Sequence, residues 1–382
     1  MSHDTPLTRR RALATVAAGS VAGLAGCYSG SQSESDIEVP PLSEFRGSGP
    51  LVADRPAPGG PSIADLPTLS GSLDLYIGGG ESGIYLDFID TLEEIYPDFT
   101  VSTSSAPSSS LAQTVVEEVN AGAPQADLFW SIDASSLSYV TNNDAYEPLR
   151  EEAVAGVPDA FRGEENAWAG VAGRARSIPY NTDQLSASDI PSEVQAFPET
   201  EDLRGTMGWA PTYGAFKSFV TAMRLLRGPE PTQAFLRDLR EAGTSRFGDE
   251  FAVVTNVTDG AVAAGFSNHY YALRVQNDRP DAPIDLAFTE NDAGALVDLA
   301  GVLQLPGRDN TDLVNNFVRH LLSAEAQEYF TTVSFAYPMI ADVAPPGDLP
   351  TVDELNPPEI DLAQLSDLDA TLALMRDADV LG

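Results

Sequence analysis

Basic residues, and lysine above all, are scarce in this 382-residue chain. Lys and Arg together number 21 against 57 Asp and Glu, which gives a formal net charge of -36, and Lys217 is the only lysine. Binding of DNA or RNA through a basic face needs clustered Lys and Arg side chains. The composition therefore excludes nucleic-acid binding of this kind.

Cysteine and histidine are also rare. The chain contains one cysteine, Cys27, and three histidines, of which His269 and His320 follow the N-terminal segment. A single cysteine excludes an internal disulfide and a Cys-rich metal site. The sequence has neither a G-x-S-x-G nor an H-E-x-x-H motif. We expect no enzyme, although a catalytic carboxylate pair stays open because acidic residues occur throughout the chain.

Hydrophobic residues make up 43% of the sequence, which indicates a folded protein despite the high net charge. The length is sufficient for two domains. A large acidic excess with arginine in place of lysine is typical of proteins from high-salt environments, where a Debye length of about 3 Å screens repulsion between surface carboxylates. An ordinary acidic extracellular protein is the alternative.

The N-terminus resembles an export signal. Thr8-Arg9-Arg10-Arg11 precedes an apolar run that ends in Leu24-Ala25-Gly26-Cys27, which is similar to a twin-arginine lipoprotein signal with a lipobox. The run of about 15 residues is shorter than a membrane-spanning helix. The resemblance implies a signal over residues 1–26, a lipid on Cys27 and a location on the extracellular face of the cell membrane. A chance apolar helix with a buried cysteine is the alternative.

Residues 27–70 are predicted to form a flexible linker, because 20 of the 43 residues from Tyr28 to Ser70 are Gly, Pro or Ser and no hydrophobic period is visible. Residues 71–382 then alternate between strand and helix patterns. The order from Leu73 to Ser131 is βαβαβ, which predicts a parallel sheet. We expect two α/β lobes, the first over about 71–172 plus part of 277–382 and the second over about 173–276.

The second predicted lobe is less regular than the first. Its expected helices include Phe216–Arg227 and Thr258–Ala264, Phe251–Thr255 reads as a strand, and Asn268–Val275 reads as a strand or a loop.

A glycine-rich segment follows the first predicted strand. Residues Gly78 to Gly83 match G-x-G-x-x-G, the pattern of dinucleotide-binding loops. The second strand, however, ends at Thr103-Ser104-Ser105 without an acidic residue that could bind a ribose. We instead expect an open loop whose backbone and Glu81 line a cleft.

Two adjacent tyrosines carry the most specific signal, in the segment Asn268-His269-Tyr270-Tyr271. In the middle of a strand these side chains would point to opposite faces, whereas at a strand end or in a loop both phenols can face one cleft. The segment resembles the twin-tyrosine motif of the ferric-ion-binding proteins, which are extracytoplasmic solute-binding components of iron ABC importers. The acidic composition would make this a haloarchaeal type.

Other segments are similar to that family in order and spacing, from about residue 72 to the C-terminus. They are Leu73–Tyr76, Ala126–Trp130, Arg174–Arg176, Pro179–Thr182, Pro211–Phe216, Asp292–Ala295, Leu321–Ser323 and Tyr337-Pro338. The resemblance implies a two-lobed periplasmic-binding-protein-like fold of type II with hinge strands. It also implies a monomer that delivers Fe(III) to an ABC permease and its ATPase.

The resemblance implies a site as well. The metal ligands it implies are Tyr270, Tyr271 and Tyr213. From the first lobe, Glu81 and Asp133 are candidates that depart from the family pattern. Arg174 or Arg176 would bind a synergistic anion such as carbonate, and the residues lining the same subsite would be Thr212, Gly214, Ala215 and Asn268.

Oxygen ligands of this kind suit a ferric ion. Ionising one tyrosine at pH 7 costs about 4 kcal/mol, from about three pKa units. Fe(III) is a hard cation that can repay three such costs, and three phenolates balance its charge. The same competition predicts release on acidification or on reduction to Fe(II).

Two other functions stay open from the sequence. The same scaffold could bind an organic or oxyanionic solute, with Tyr213, Tyr270 and Trp209 stacking or hydrogen bonding. The chain could also be a surface hydrolase or an adhesive lipoprotein.

Overall fold

A computed structural model describes residues 37–79 and 82–381. Residues from Glu38 onward belong to one contact unit. The strands are β1 Gly71–Gly78, β2 Phe99–Ala106, β3 Leu128–Ser131, β4 Ala169–Asn181, β5 Met207–Trp209, β6 Ser245–Arg246, β7 Ala264–Gly265, β8 Ser267–Asn268, β9 Ile284–Ala287, β10 Val297–Gln304 and β11 Tyr337–Pro338.

The helices are α1 Leu42–Phe45, α2 Ser82–Ile95, α3 Ser108–Asn120, α4 Ala134–Thr141, α5 Glu151–Val154, α6 Gly214–Arg227, α7 Pro229–Glu241, α8 Glu250–Thr258, α9 His269–Asp278, α10 Thr311–Leu321, α11 Ala324–Val333 and α12 Leu368–Asp377. Short 3₁₀ helices include Val194–Glu199, Glu201–Leu203 and Leu362–Ser366. No helix in these described residues is both long and apolar enough to cross a membrane.

The first lobe has the predicted βαβαβ arrangement. Strand β1 pairs in parallel with β2 and β3, and β10 runs antiparallel between β3 and β4. All four residues of β3 are buried. The ring of Trp130 on β3 stacks on Tyr85 of α2 at 4.6 Å, and Phe330 of α11 meets the same two rings edge-on. This aromatic cluster fixes α2 and α11 against the sheet.

Strand β4 connects the two lobes. It is 13 residues long, and its first half pairs with β10 while its second half pairs with β8, β9 and β7. The parallel pairs β5–β6 and β5–β7 complete the second lobe. The chain therefore has the two α/β lobes that the strand and helix patterns predicted, in the periplasmic-binding-protein fold that the resemblance implied.

Two predicted elements of the second lobe are wrong. Phe251–Thr255, predicted as a strand, lies in α8, and Thr258–Ala264, predicted as a helix, is mostly a turn that leads into β7. The side chain of Asp249 caps α8 by accepting a hydrogen bond from Ala252 N at 2.7 Å. The β-branched residues of this helix resemble a strand in sequence, but its buried positions Val253, Val254 and Val257 follow a helical period.

The flexible linker predicted for residues 27–70 is wrong over its described part. Phe45 is only 2% exposed and Ile63 only 1% exposed. Arg55 donates two hydrogen bonds of 3.1 Å to the buried carboxylate of Glu328. A Cβ added at Gly47 would lie 2.3 Å from a backbone oxygen of α11. Glycine in this segment therefore permits close packing, and isolated apolar residues anchor the segment without any sequence period.

Candidate functional site

A cleft of about 660 Å³ lies where both lobes meet the connecting strands. Its wall includes Asp133 from the first lobe, Arg174 and Arg176 from β4, and Tyr213, Tyr270 and Tyr271 from the second lobe. A second cavity of about 670 Å³, beside the C-terminal end of α6, contains none of the predicted site residues. The interlobe cleft is therefore the place where the predicted site comes together.

The three tyrosines converge in this cleft. The hydroxyl oxygens of Tyr213 and Tyr271 are 2.6 Å apart, and the ring centroids of Tyr270 and Tyr271 are 4.4 Å apart. The Tyr270 hydroxyl accepts a hydrogen bond from Asn268 Nδ2 at 3.5 Å. Three phenol groups thus lie around one small volume.

Helix α9 explains how adjacent tyrosines share the cleft. The sequence suggested a strand or a loop for this segment, but α9 begins at His269, directly after the β8 residue Asn268. Consecutive residues in a helix differ in direction by about 100°, from 3.6 residues per turn, and not by the 180° of a strand. Tyr270 and Tyr271 can therefore both line the cleft.

His269 anchors the start of α9, and its ring meets that of Tyr270 edge-on at 5.7 Å. Its Nδ1 lies 3.3 Å from Ala175 O and its Nε2 lies 2.7 Å from Phe335 O. Burial lowers the pKa of His269 to about 4, so the imidazole is neutral near pH 7. The histidine supports the tyrosine pair and does not line the cleft.

Arg176 is held in the cleft wall with one donor left over. Its side chain is 4% exposed, and its Nη1 bonds to Glu250 Oε1 at 2.5 Å and to Asn268 Oδ1 at 3.1 Å. Glu250 is fully buried and also accepts from Asn268 N at 2.8 Å. Arg176 Nη2 is buried and has no hydrogen-bond partner among the described residues. This donor suits an anionic ligand.

Arg174 lies two residues before Arg176 on β4, and alternation along a strand places both on the same face. Its guanidinium lies 3.7 Å from Asp298 Oδ2 and donates to the carbonyl of Ile132 in the first lobe. Burial raises the pKa of Asp298, and the charge of Arg174 opposes that shift. Arg174 thus connects β4, β10 and the first lobe beside the cleft.

The N-terminus of α6 faces the same cleft. Gly214 and Ala215, its first two residues, line the wall, and the side chain of Tyr213 at the N-cap position makes no capping hydrogen bond. The first N–H groups of a helix have no intrahelical acceptor and carry the positive end of the helix dipole. Thr212, predicted for the same subsite, is exposed and is not part of the cleft wall.

The first lobe contributes fewer ligand groups. Asp133 caps α4, because its Oδ1 accepts hydrogen bonds from Ser136 N at 2.8 Å and Ser135 Oγ at 2.7 Å. It lines the cleft, but this carboxylate oxygen is engaged in the cap. Glu81 and the proposed lipid anchor Cys27 lie outside the described residues.

Two cationic residues of the cleft were missed by sequence reasoning. The guanidinium of Arg274 lies 4.9 Å from the ring centroid of Tyr270 and 5.8 Å from that of Tyr271. The spacing Tyr270–Arg274 is i, i+4, which would have indicated this contact if the segment had been predicted as a helix. Lys217, in the first turn of α6, also lines the cleft. The sequence signal that could have indicated its role was that it is the only lysine of the chain.

Comparison with known proteins identifies the family to which the chain belongs. The sequence pattern described as "Bacterial extracellular solute-binding protein" matches residues 87–357. The chain belongs to this family. Among curated relatives, it is 28% identical over 286 residues to the major ferric iron-binding protein of Neisseria meningitidis serogroup B, covering 73% of this chain and 84% of that one. It is 26% identical to the Fe(3+)-binding periplasmic protein of Serratia marcescens, covering 74% and 83% of the two chains.

Solved structures show the same fold for this solute-binding protein. Iron-bound HitA from Pseudomonas aeruginosa has a TM-score of 0.68 at 25% identity, with 82% of this chain and 99% of that chain covered. A Trichodesmium protein in complex with iron and citrate ligands has a TM-score of 0.66 at 19% identity, with 81% and 99% covered. At 19% identity, the similarity to the Trichodesmium protein shows the fold alone.

The donor atoms of this solute-binding protein restrict the metal it could hold. Within residues 37–79 and 82–381, no group of three or more His, Cys, Asp or Glu side chains could hold a metal ion. The cleft wall carries four cationic side chains, Arg174, Arg176, Lys217 and Arg274, against the carboxylates of Asp133 and Asp298. A metal bound there would depend on the tyrosines, and the cationic side chains would favour an accompanying anion.

Proposed function

We propose that this solute-binding protein captures Fe(III) through the phenolate oxygens of Tyr213, Tyr270 and Tyr271 and delivers it to an ABC permease. The observation that carries the proposal is the 2.6 Å approach of the Tyr213 and Tyr271 hydroxyls, with the Tyr270 ring 4.4 Å from that of Tyr271 and tilted against it. Phenols brought together in this way can bind one cation when each releases its own proton to solvent.

The charges of the site favour a trivalent ion. Each phenol must lose its proton to ligate, at a cost of about 4 kcal/mol near pH 7. Three phenolates neutralise Fe(III), whereas a divalent ion would leave excess negative charge. Arg274 places a positive charge 4.9 Å from the Tyr270 ring and 5.8 Å from the Tyr271 ring. Acid or reduction to Fe(II) would reverse binding.

A synergistic anion would complete the coordination shell. The unpartnered Arg176 Nη2 and the open N–H groups at Gly214 and Ala215 suit carbonate or a similar oxyanion. Arg174 and Asn268 lie in the same wall. The anion would neutralise part of the cationic excess, so metal and anion would bind together.

The first lobe would contribute when the hinge closes. Strand β4 carries the chain from the first lobe to the second, and the segment between β9 and β10 carries it back. Bending at these two crossings brings the lobes together. Asp133 is the described first-lobe candidate and would ligate through the oxygen that does not cap α4. Glu81 is the second candidate. Closure would then present both lobes to the permease and its ATPase.

We extend the proposal to the location of the protein. A twin-arginine signal over residues 1–26 and a lipid on Cys27 would hold a monomer on the extracellular face of the cell membrane. The net charge of -36 would keep such a protein soluble in concentrated salt.

A second candidate function is binding of an organic or oxyanionic solute without metal. The cleft volume of about 660 Å³ and its four cationic side chains favour this alternative. Tyr213 and Tyr270 would then hydrogen bond or stack, and the solute would carry negative charge.

The test is the visible spectrum of purified protein loaded with Fe(III) and carbonate. We expect a phenolate-to-iron charge-transfer band that is lost or strongly shifted in Tyr270→Phe and Tyr271→Phe. Tyr139→Phe, which changes an exposed tyrosine of α4, is the matched control and should leave the band intact. A stoichiometric organic anion with no Fe(III) binding would instead support the second candidate.

A further inference from the structure

The C-terminal part of the chain contacts both lobes. We define the C-terminal strap as residues 362–379, which comprise the 3₁₀ helix Leu362–Ser366, helix α12 and the two residues after it. The family match ends at residue 357, so the strap lies beyond it. The 3₁₀ helix packs against α4 in the first lobe and also touches α6 in the second, and α12 packs against α6 and α7.

Polar contacts fasten the strap to the second lobe. Arg224 of α6 forms an ion pair of 2.7 Å with Asp367 and donates from Nε to Thr371 Oγ1 at 3.2 Å. The hydroxyls of Thr371 and Thr221 are 2.9 Å apart, and both residues are fully buried. Arg240 of α7 pairs with Asp379 at 2.9 Å. The second lobe therefore holds this end of the strap at several points.

The 3₁₀ helix that packs on the first lobe buries two leucines. Leu362 is 8% exposed and Leu365 is 3% exposed, and these are the buried leucines of the 3₁₀ helix that packs on α4. Leu365 and Leu368 also line the interlobe cleft itself. Helix α4 begins directly after Asp133, so the strap reaches the part of the first lobe that borders the cleft.

We propose that the C-terminal strap is an interlobe latch that favours the closed cleft and slows release of its cargo. Opening the hinge separates α4 from α6, and the strap contacts both. Its contact with α4 would have to break on opening, whereas ion pairs and buried hydrogen bonds hold α12 to the second lobe. Leu365 is then a positioning residue. The effect on cargo rests on the proposed function, whereas the effect on lobe closure does not.

The first experiment measures release of Fe(III) from the carbonate-loaded, full mature chain to a chelator in excess at neutral pH. Leu365→Ala should release iron about tenfold faster than wild type, which corresponds to about 1.4 kcal/mol. Leu203→Ala is the matched control, because it truncates a buried leucine of the second lobe that does not line the cleft. It should lower thermal stability without changing the release rate.

A second pair of variants tests the other end of the strap. Arg224→Gln removes the contacts with Asp367 and Thr371 and should also accelerate release. Arg227→Gln, in the same helix α6, changes an arginine that makes no ion pair among the described residues, and it should behave as wild type. Release rates of Leu365→Ala and Arg224→Gln within twofold of their controls would overturn the latch.

Small-angle scattering of the metal-free proteins separates this proposal from the iron proposal. Leu365→Ala and Arg224→Gln should shift the scattering curve toward a more open particle than wild type, and their controls should not. If wild type fails to bind Fe(III), the proposed function fails while this comparison still tests the latch. Identical curves for wild type, both variants and both controls would contradict it.

Discussion

The two lobes contribute unequally to the cleft. The second lobe and β4 supply three phenols, the buried Arg176–Glu250 pair, Lys217 and Arg274, while the described part of the first lobe supplies Asp133, Asp298 and serines. The second-lobe groups already contact one another, since Tyr213 and Tyr271 are 2.6 Å apart. We infer that the second lobe receives the ion first and that the first lobe completes the shell on closure.

The largest expected effect is the loss of Fe(III) affinity when one proposed ligand of the second lobe is replaced, compared with one of the first lobe. Tyr213→Phe should weaken Fe(III) affinity by about 1000-fold, or about 4 kcal/mol, because it removes a charged ligand. Asp133→Asn should cost less than about tenfold, since asparagine still caps α4. Competition with a chelator of known affinity measures both. An equal loss in the two variants would contradict the assignment of first contact to the second lobe.

The buried ion pair of the second lobe gives the next effect. Arg176→Met leaves Glu250 without its cation and should lower the free energy of unfolding by about 4 kcal/mol. The double variant Arg176→Met/Glu250→Gln should recover most of that loss, because no unpaired charge stays buried. Urea unfolding measures the stability, and both variants should lose the dependence of iron binding on carbonate.

Unchanged stability in Arg176→Met would contradict the burial of the Arg176–Glu250 ion pair that the structure shows. Retained carbonate dependence in the double variant would remove Arg176 from the anion subsite.

A smaller effect compares a buried histidine near the hinge with one in the first lobe. Burial lowers the pKa of both His269 and His320 to about 4. In the unfolded chain each histidine takes up its proton near pH 6.5. The free energy of unfolding is therefore unaffected by these groups above that pH and falls as the pH drops toward 4, by up to about 3 kcal/mol for each residue.

Urea unfolding at pH 7, 5.5 and 4.5 measures this dependence. His269→Gln and His320→Gln should each show a shallower loss of stability in acid than wild type. Curves parallel to wild type would mean that the histidine is protonated in the folded protein.

The smallest effect concerns the only lysine. Lys217→Gln should weaken iron retention less than tenfold with carbonate, because a single partly exposed charge contributes about 1 kcal/mol or less. The loss should be larger with a multiply charged anion such as citrate, because the lysine attracts that anion more strongly. Arg246→Gln, an exposed cation outside the cleft wall, is the control. Equal retention of both anions in Lys217→Gln and wild type would remove Lys217 from the anion subsite.

Part of the fold and of the candidate site could be predicted from the sequence. The alternation of strand and helix patterns predicted the βαβαβ order of the first lobe, because each apolar run there has the length and hydrophobic period of the strand or helix it forms. The twin tyrosines and the arginines of β4 were found by resemblance to a family, and the structure brings these residues to one cleft. Thr212 was included with them, but its side chain is exposed.

The rest depended on tertiary contacts. The valines of α8 suggested a strand, and only the cap at Asp249 and packing on one face establish the helix. Because the helical phase of α9 was not predicted, Arg274 was missed. The Pro- and Gly-rich segment before β1 was expected to be flexible, yet single residues such as Phe45 and Ile63 insert into the core. No periodic signal marks such contacts.

The most direct test of the central claim is an anomalous-scattering map at the iron edge, from crystals grown with Fe(III) and carbonate. We predict one strong peak within bonding distance of the hydroxyl oxygens of Tyr213, Tyr270 and Tyr271. A peak bound only by surface carboxylates, or a cleft filled by an organic anion with no peak, would contradict the account.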